Sequence, residues 1–117
     1  MIVNNSDKEW EFYGKIDPYF GVLTDEKYSQ KRINEESLKC FFHSGEEYCK
    51  NVIHQIHKNI IPSFRPAKIL DYGCGVGRLL IPFAKGTKMV VGVDISPSML
   101  AEAKKNIEKN GIKNIQK

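Results

Sequence analysis

Cysteine is sparse in this sequence, and what there is does not pair up. Cys40, Cys49 and Cys74 form an odd set of three in 117 residues, without secretory context, which excludes a disulfide framework as the organising device and makes reduced thiols the default. Long hydrophobic runs are also missing. No apolar stretch approaches the roughly 20 residues that span a bilayer, and the Met1–Asp7 start lacks the basic and apolar regions of a signal peptide. The expectation is a cytoplasmic chain with no membrane partner. Internal repeats and low-complexity segments are absent, which excludes repeat architectures.

What is present suits one modest folded unit. Hydrophobic residues at 41% and charged residues at 27% are ordinary for a globular protein and exclude wholesale disorder. The formal net charge is +4, but it is unevenly placed. Residues 1–62 hold eight Lys/Arg against ten Asp/Glu, and residues 63–117 hold ten against four. The basic excess sits at Lys104, Lys105, Lys109, Lys113 and Lys117, where a solvated helix face explains it better than a nucleic-acid surface.

The chain divides by pattern into residues 1–62 and 63–117. Residues 1–24 mix aromatics with turn formers and read as an irregular lead-in, and Asp25–Leu38 reads as one or two short exposed helices. Ser44-Gly45-Glu46-Glu47 fits a capping box. A helix from about Gly45 to Ile60 is expected to follow, with Tyr48, Val52, Ile53, Ile56 and Ile60 on one stripe and Pro62 and Pro66 in the linker beyond. After the linker, Lys68–Tyr72 reads as a buried strand, Arg78–Lys85 as a helix started late enough to tolerate Pro82, and Lys88–Val93 as a second strand. Ser96 then caps a helix opened by Pro97, with Met99, Leu100, Ala103 and Ile107 inward and Gly111 past its end. Strands alternating with helices predict an α/β fold with parallel pairing.

The text that carries chemistry is Asp71-Tyr72-Gly73-Cys74-Gly75-Val76-Gly77-Arg78, between strand and helix. Alternate glycines let the backbone turn tightly and leave no Cβ to keep a ligand from the main chain. Asp94 ends the next strand 21 residues after Gly73, where a carboxylate can accept from ribose hydroxyls. A nucleoside ligand follows. The dinucleotide fingerprint would put its third glycine at position 78, which is Arg78 here, so the pyrophosphate reading weakens.

These residues resemble the class I S-adenosylmethionine-dependent methyltransferases. ILDYGCGVGRLL looks like their first motif and VVGVDISPSMLAEAKKN like the segment after it, together covering about residues 67–110. The resemblance implies an incomplete Rossmann-like methyltransferase fold, of which the first two parallel strands and flanking helices are legible, preceded by an N-terminal helical segment. It implies S-adenosylmethionine as cofactor. Gly73, Gly75 and Gly77 would line its methionine and ribose, with Cys74 between them as a small residue that fits. Asp71 would position the amino-acid part, Asp94 would hold the ribose, and Ile95 and Met99 would pack against adenine. Tyr13, Asp17, Pro18 and Tyr19 are similar to segments that close over the cofactor in some members. No catalytic base is assignable, and the methyl acceptor is unidentified.

The resemblance also implies about seven strands, so a fragment is expected, or an oligomer that covers the open sheet edge, and the chain alone is expected to bind cofactor weakly. Two other classes are a non-catalytic Rossmann-like interaction module and, less favoured, a dinucleotide-dependent oxidoreductase. Cys40, His43, Cys49, His54 and His57 lie close together, but their spacing lacks the paired-ligand pattern of a zinc site, so no metal is expected.

Overall fold

A computed structural model describes residues 5–116. Helix α1 (Ser6–Ile16) and helix α2 (Pro18–Leu23) are followed by a 3-10 turn at Glu26–Tyr28 and the long helix α3 (Glu35–Asn59). Strand β1 (Lys68–Tyr72), helix α4 (Leu80–Lys85), strand β2 (Met89–Val93), helix α5 (Pro97–Lys109) and strand β3 (Ile115–Gln116) complete the order. The strands form one parallel sheet in the order β1-β2-β3, with Leu70 beside Val91 and Tyr72 beside Val93. This is the α/β class expected, and a short third strand joins the two that were legible.

Lys68–Tyr72, expected to be a buried strand, leaves Leu70 and Tyr72 exposed, and three further expectations need correction. The lead-in is helical rather than irregular. The buried residue of α1 is Gly14, where an added Cβ would meet Ser96 and the Met99 backbone on α5. Second, α3 starts at Glu35 rather than near Gly45, and its cap is Asn34. The Asn34 side chain accepts from Ser37 N at 2.9 Å while Ser37 Oγ accepts from Asn34 N at 2.9 Å, which satisfies two amides reciprocally. Ser44, expected to cap, lies inside the helix and donates to Phe41 O at 2.6 Å. Third, the short helices expected over Asp25–Leu38 reduce to the 3-10 turn and the first turn of α3.

One core lies between the sheet and α4 and α5, where Cys74, Leu80, Ile81, Ala84, Val90 and Ile107 pack together. A second joins the N-terminal helices to the glycine loop through Tyr19, Tyr28, Phe41, Val76 and Met99. Phe41, fully buried, takes edge-on contacts from Tyr19, Tyr28 and Phe42 with ring centroids 5.0, 5.3 and 5.2 Å away, a geometry favoured by the ring quadrupoles. The Tyr19 hydroxyl donates to Glu102 Oε1 at 2.9 Å, and Asn106 Nδ2 donates to both Tyr19 Oη and Val76 O. Through this network α2, α5 and the loop are held as one body.

Candidate cofactor site

The loop between β1 and α4 turns on three glycines at positive φ, Gly73 (+80°), Gly75 (+53°) and Gly77 (+91°), a region costly for residues with a Cβ. Four of its amides are committed to protein acceptors. Gly73 N and Cys74 N donate to Val93 O, Gly77 N donates to Cys74 O, and Gly75 N donates to Asp94 Oδ2 at 2.8 Å. The other Asp94 oxygen accepts from Ser96 N at 2.9 Å. One carboxylate thus ties the loop after β1 to the turn after β2.

A crevice of about 670 Å³ opens there, lined by Tyr72, Gly73, Gly75, Val93, Asp94, Ile95 and Met99 together with Ser6, Asp7, Trp10 and Val22 from α1 and α2. Of the residues singled out in sequence, Gly73, Gly75, Asp94, Ile95 and Met99 meet at this crevice. Gly77 faces Ile81 and Ala103, and Cys74 is buried in the core beside Leu80. Asp71, on β1, is partly buried with Oδ2 shielded and without a hydrogen-bond partner among the described residues. Burial, and secondarily the charge of Asp94, pushes its carboxyl above the usual carboxylate range.

The lead-in contributes differently from what the resemblance implied. Tyr19 is spent on α5, Asp17 Oδ1 accepts from Gln30 N at 2.8 Å, and Pro18 opens α2. Tyr13 packs with Trp10, Phe12 and Phe20. The residues of this segment that line the crevice are Ser6, Asp7, Trp10 and Val22, which the sequence reading did not single out. The available signal was Trp10, the single tryptophan, in an otherwise unpatterned stretch.

Arg78, which occupies the fingerprint's third glycine position, turns away to α3. Its Nε donates to Ser44 Oγ at 3.1 Å, and its guanidinium lies 5.9 Å from the Tyr48 ring centroid. Cys49 is buried, with its thiol 3.7 Å from Leu79 O; burial foremost, with Asp71's charge behind it, pushes that thiol up to about 11, far from a reactive thiolate. His57 Nε2–H donates to Phe64 O at 2.7 Å, while Cys40 is exposed.

Comparison with known proteins meets this geometry at the same place. Residues 64–116 match a family described as a methyltransferase domain. An uncharacterised RNA methyltransferase of Listeria monocytogenes is 33% identical over 79 residues, covering 68% of this chain and 17% of the relative. The 23S rRNA (uracil(1939)-C(5))-methyltransferase of Shewanella amazonensis is 46% identical over 48 residues, 41% of this chain and 11% of that protein. The chain therefore spans less than a fifth of the length of these relatives. Among solved structures, the Haemonchus contortus phosphoethanolamine N-methyltransferase 1 in complex with phosphoethanolamine and S-adenosylhomocysteine superposes with a TM-score of 0.63 at 15% identity, over 96% of this chain and 20% of that one. The magnesium protoporphyrin IX methyltransferase of Synechocystis with bound S-adenosylhomocysteine gives 0.61 at 19% identity, over 97% and 50%. The fold is the Rossmann-like fold of these methyltransferase structures, and residues 64–116 are similar to the methyltransferase-domain family.

Proposed function

We propose that this chain is the cofactor-binding portion of a cytoplasmic S-adenosylmethionine-dependent methyltransferase. The observation that carries the reading is Asp94 at the mouth of the glycine loop, facing the crevice with its carboxylate already oriented by Gly75 N and Ser96 N. The cofactor supplies an activated methyl group on a cationic sulfonium, so the protein's task is to hold donor and acceptor in line. The residues present fit that ligand. Among the described residues, the crevice lining includes two carboxylates, Asp7 and Asp94, and no Lys or Arg. Asp71 lies outside that lining with its Oδ2 shielded, so it supports the site from behind the glycine loop. Asp94 would accept from the ribose hydroxyls, Ile95 and Met99 would pack against adenine, and Gly73 and Gly75 would let the ligand reach the main chain.

A dinucleotide fits worse. Its pyrophosphate needs free amides at a helix N-terminus, whereas the amides of Gly73, Cys74, Gly75 and Gly77 already have protein partners and α4 starts only at Leu80. Calorimetric titration with S-adenosylhomocysteine tests the reading. Weak but measurable binding is expected, reduced about tenfold or more in Asp94→Ala by loss of a charged hydrogen-bond acceptor. Uptake of a nicotinamide dinucleotide in its place, or no heat up to the ligand's solubility limit, overturns it.

For the acceptor, an RNA is the second reading, favoured by the names of the sequence relatives. If it holds, a single-stranded RNA oligonucleotide binds the chain with an affinity that falls steeply as salt rises. Absence of salt-dependent binding removes this reading and leaves the cofactor assignment untouched.

A further inference from the structure

Helix α1 is tied to the start of α5 by one carboxylate. Glu11 Oε1 accepts from Ser98 N at 2.8 Å and from Ser96 Oγ at 3.0 Å, across 85 residues of sequence in the second case. Ser98 N is one of the free first-turn amides of α5, where a negative charge also meets the positive end of the helix dipole. Ser96 is fully buried, and its hydroxyl is used twice, accepting from Met99 N at 3.1 Å and giving its proton to Glu11. Ser96 N in turn donates to Asp94, and Asp94 holds Gly75 N. Glu11, Ser96, Asp94 and Gly75 therefore form one continuous chain of hydrogen bonds from the cover to the glycine loop. Gly14, one helical turn after Glu11, lets the two helices close on each other at Ser96. Trp10, beside Glu11, lines the crevice.

We infer that Glu11 is a positioning residue for the cofactor site: it latches α1 over the crevice and, through Ser96, fixes the Asp94 carboxylate that faces the ligand. The inference deepens the proposed function and rests on it only for the ligand's identity. The hydrogen bonds from Ser98 hold the Glu11 carboxyl below its ordinary range, so the latch is charged at neutral pH. A cap alone would need only Ser98 N. The second bond, to the buried Ser96 hydroxyl, is what connects cover and site, because removing Glu11 strands that proton beside Asp94's own support.

The test uses the whole chain and three variants, Glu11→Ala, Glu11→Gln and, as a charge control on the exposed side of α1, Glu9→Ala. Amide hydrogen exchange without ligand is read at Gly75 N and Ser96 N, the two backbone amides that donate to Asp94 and that Glu11 itself does not accept from. Exchange there is expected to quicken about fivefold in Glu11→Ala, the size of a typical lost cap, to be largely restored by Glu11→Gln, and to stay at the wild-type rate in Glu9→Ala. Acrylamide quenching of Trp10 emission should rise in parallel. Unchanged exchange at Gly75 and Ser96 in Glu11→Ala overturns the inference, even if Ser98 itself exchanges faster, since Glu11 would then be only a cap. An equal effect from Glu9→Ala also overturns it. S-adenosylhomocysteine titration of the same proteins is scored separately: a wild type that fails to bind overturns the proposed function, while the exchange data still decide the role of Glu11.

Discussion

Asp71 shows at the residue scale what the site costs the fold. Its carboxyl is raised by burial first and by the Asp94 charge second, so the folded state holds this proton more tightly than the unfolded chain does. The sign of the linkage follows: the folded state binds more protons between the ordinary value of 3.8 and the raised folded value, so stability falls as pH rises through that window and is flat above it. The expected outcome is a wild-type minus Asp71→Asn stability difference, from urea unfolding at a series of pH values, that declines across the window and then levels. A flat difference refutes the burial argument. Glu11 contributes with the opposite sign, since its lowered carboxyl adds stability above 4.5 that is lost as pH falls through the folded value. Gly77 supplies a second residue-scale prediction. Its neighbours leave room for a Cβ, the nearest being Ile81 Cδ1 at 3.5 Å, but its φ is +91°. Gly77→Ala should therefore cost about 1–2 kcal/mol through backbone strain alone, measurable as a lower urea midpoint at unchanged m-value.

At the scale of elements, the sequence was most legible where local chemistry and tertiary contacts agree. β1 is a short run ending at a glycine and β2 a β-branched run ending at an aspartate, and α5 carries its own Ser96 cap, Pro97 start and apolar stripe, so nothing distant was needed to see them. Helix α3 was legible only in its second half. Two cap-like sequences compete there, and Ser44-x-x-Glu47 matches the familiar box better than Asn34-x-x-Ser37. What decides between them is the buried stripe of Phe41, Gly45 and Cys49, which includes a glycine and a cysteine that apolar counting underrates. Gly45 is buried because Arg78 of the glycine loop packs on it, a partner 33 residues away in sequence. Asn34→Ala should destabilise the chain by about 1 kcal/mol as a lost cap, read by thermal or urea melts. The part of the site on α1 was illegible for a related reason: α1 docks through Gly14 and Glu11, not an apolar stripe, while Phe12 and Ile16 stay exposed, so periodicity had nothing to report.

The whole molecule has one face that its own helices leave bare. Val90 and Gly92 point to α4 and the core, as Val90's burial with Leu80 and the close approach of Leu80 and Cys74 to Gly92 show. Strand alternation therefore sends Leu70 and Tyr72 of β1, and their register partners Val91 and Val93 of β2, to the other side. Leu70 is 62% exposed, Tyr72 85% and Val93 42%. Among the described residues β1 is also the outer strand in the order β1-β2-β3, which leaves it an edge beside that apolar face, an arrangement prone to pairing with another chain. Self-association is the expected outcome, read by sedimentation velocity as a mean mass that climbs with protein concentration. The double variant Leu70→Lys with Tyr72→Lys keeps the helical side of the sheet intact and places charge on the bare side. It should remain at the 13.4 kDa monomer mass over the same range. Because Tyr72 also lines the crevice, Leu70→Lys alone separates the two effects: a monomeric Leu70→Lys with wild-type S-adenosylhomocysteine affinity assigns association to the bare face, whereas a wild type that stays monomeric at all concentrations shows that this face is tolerated in water.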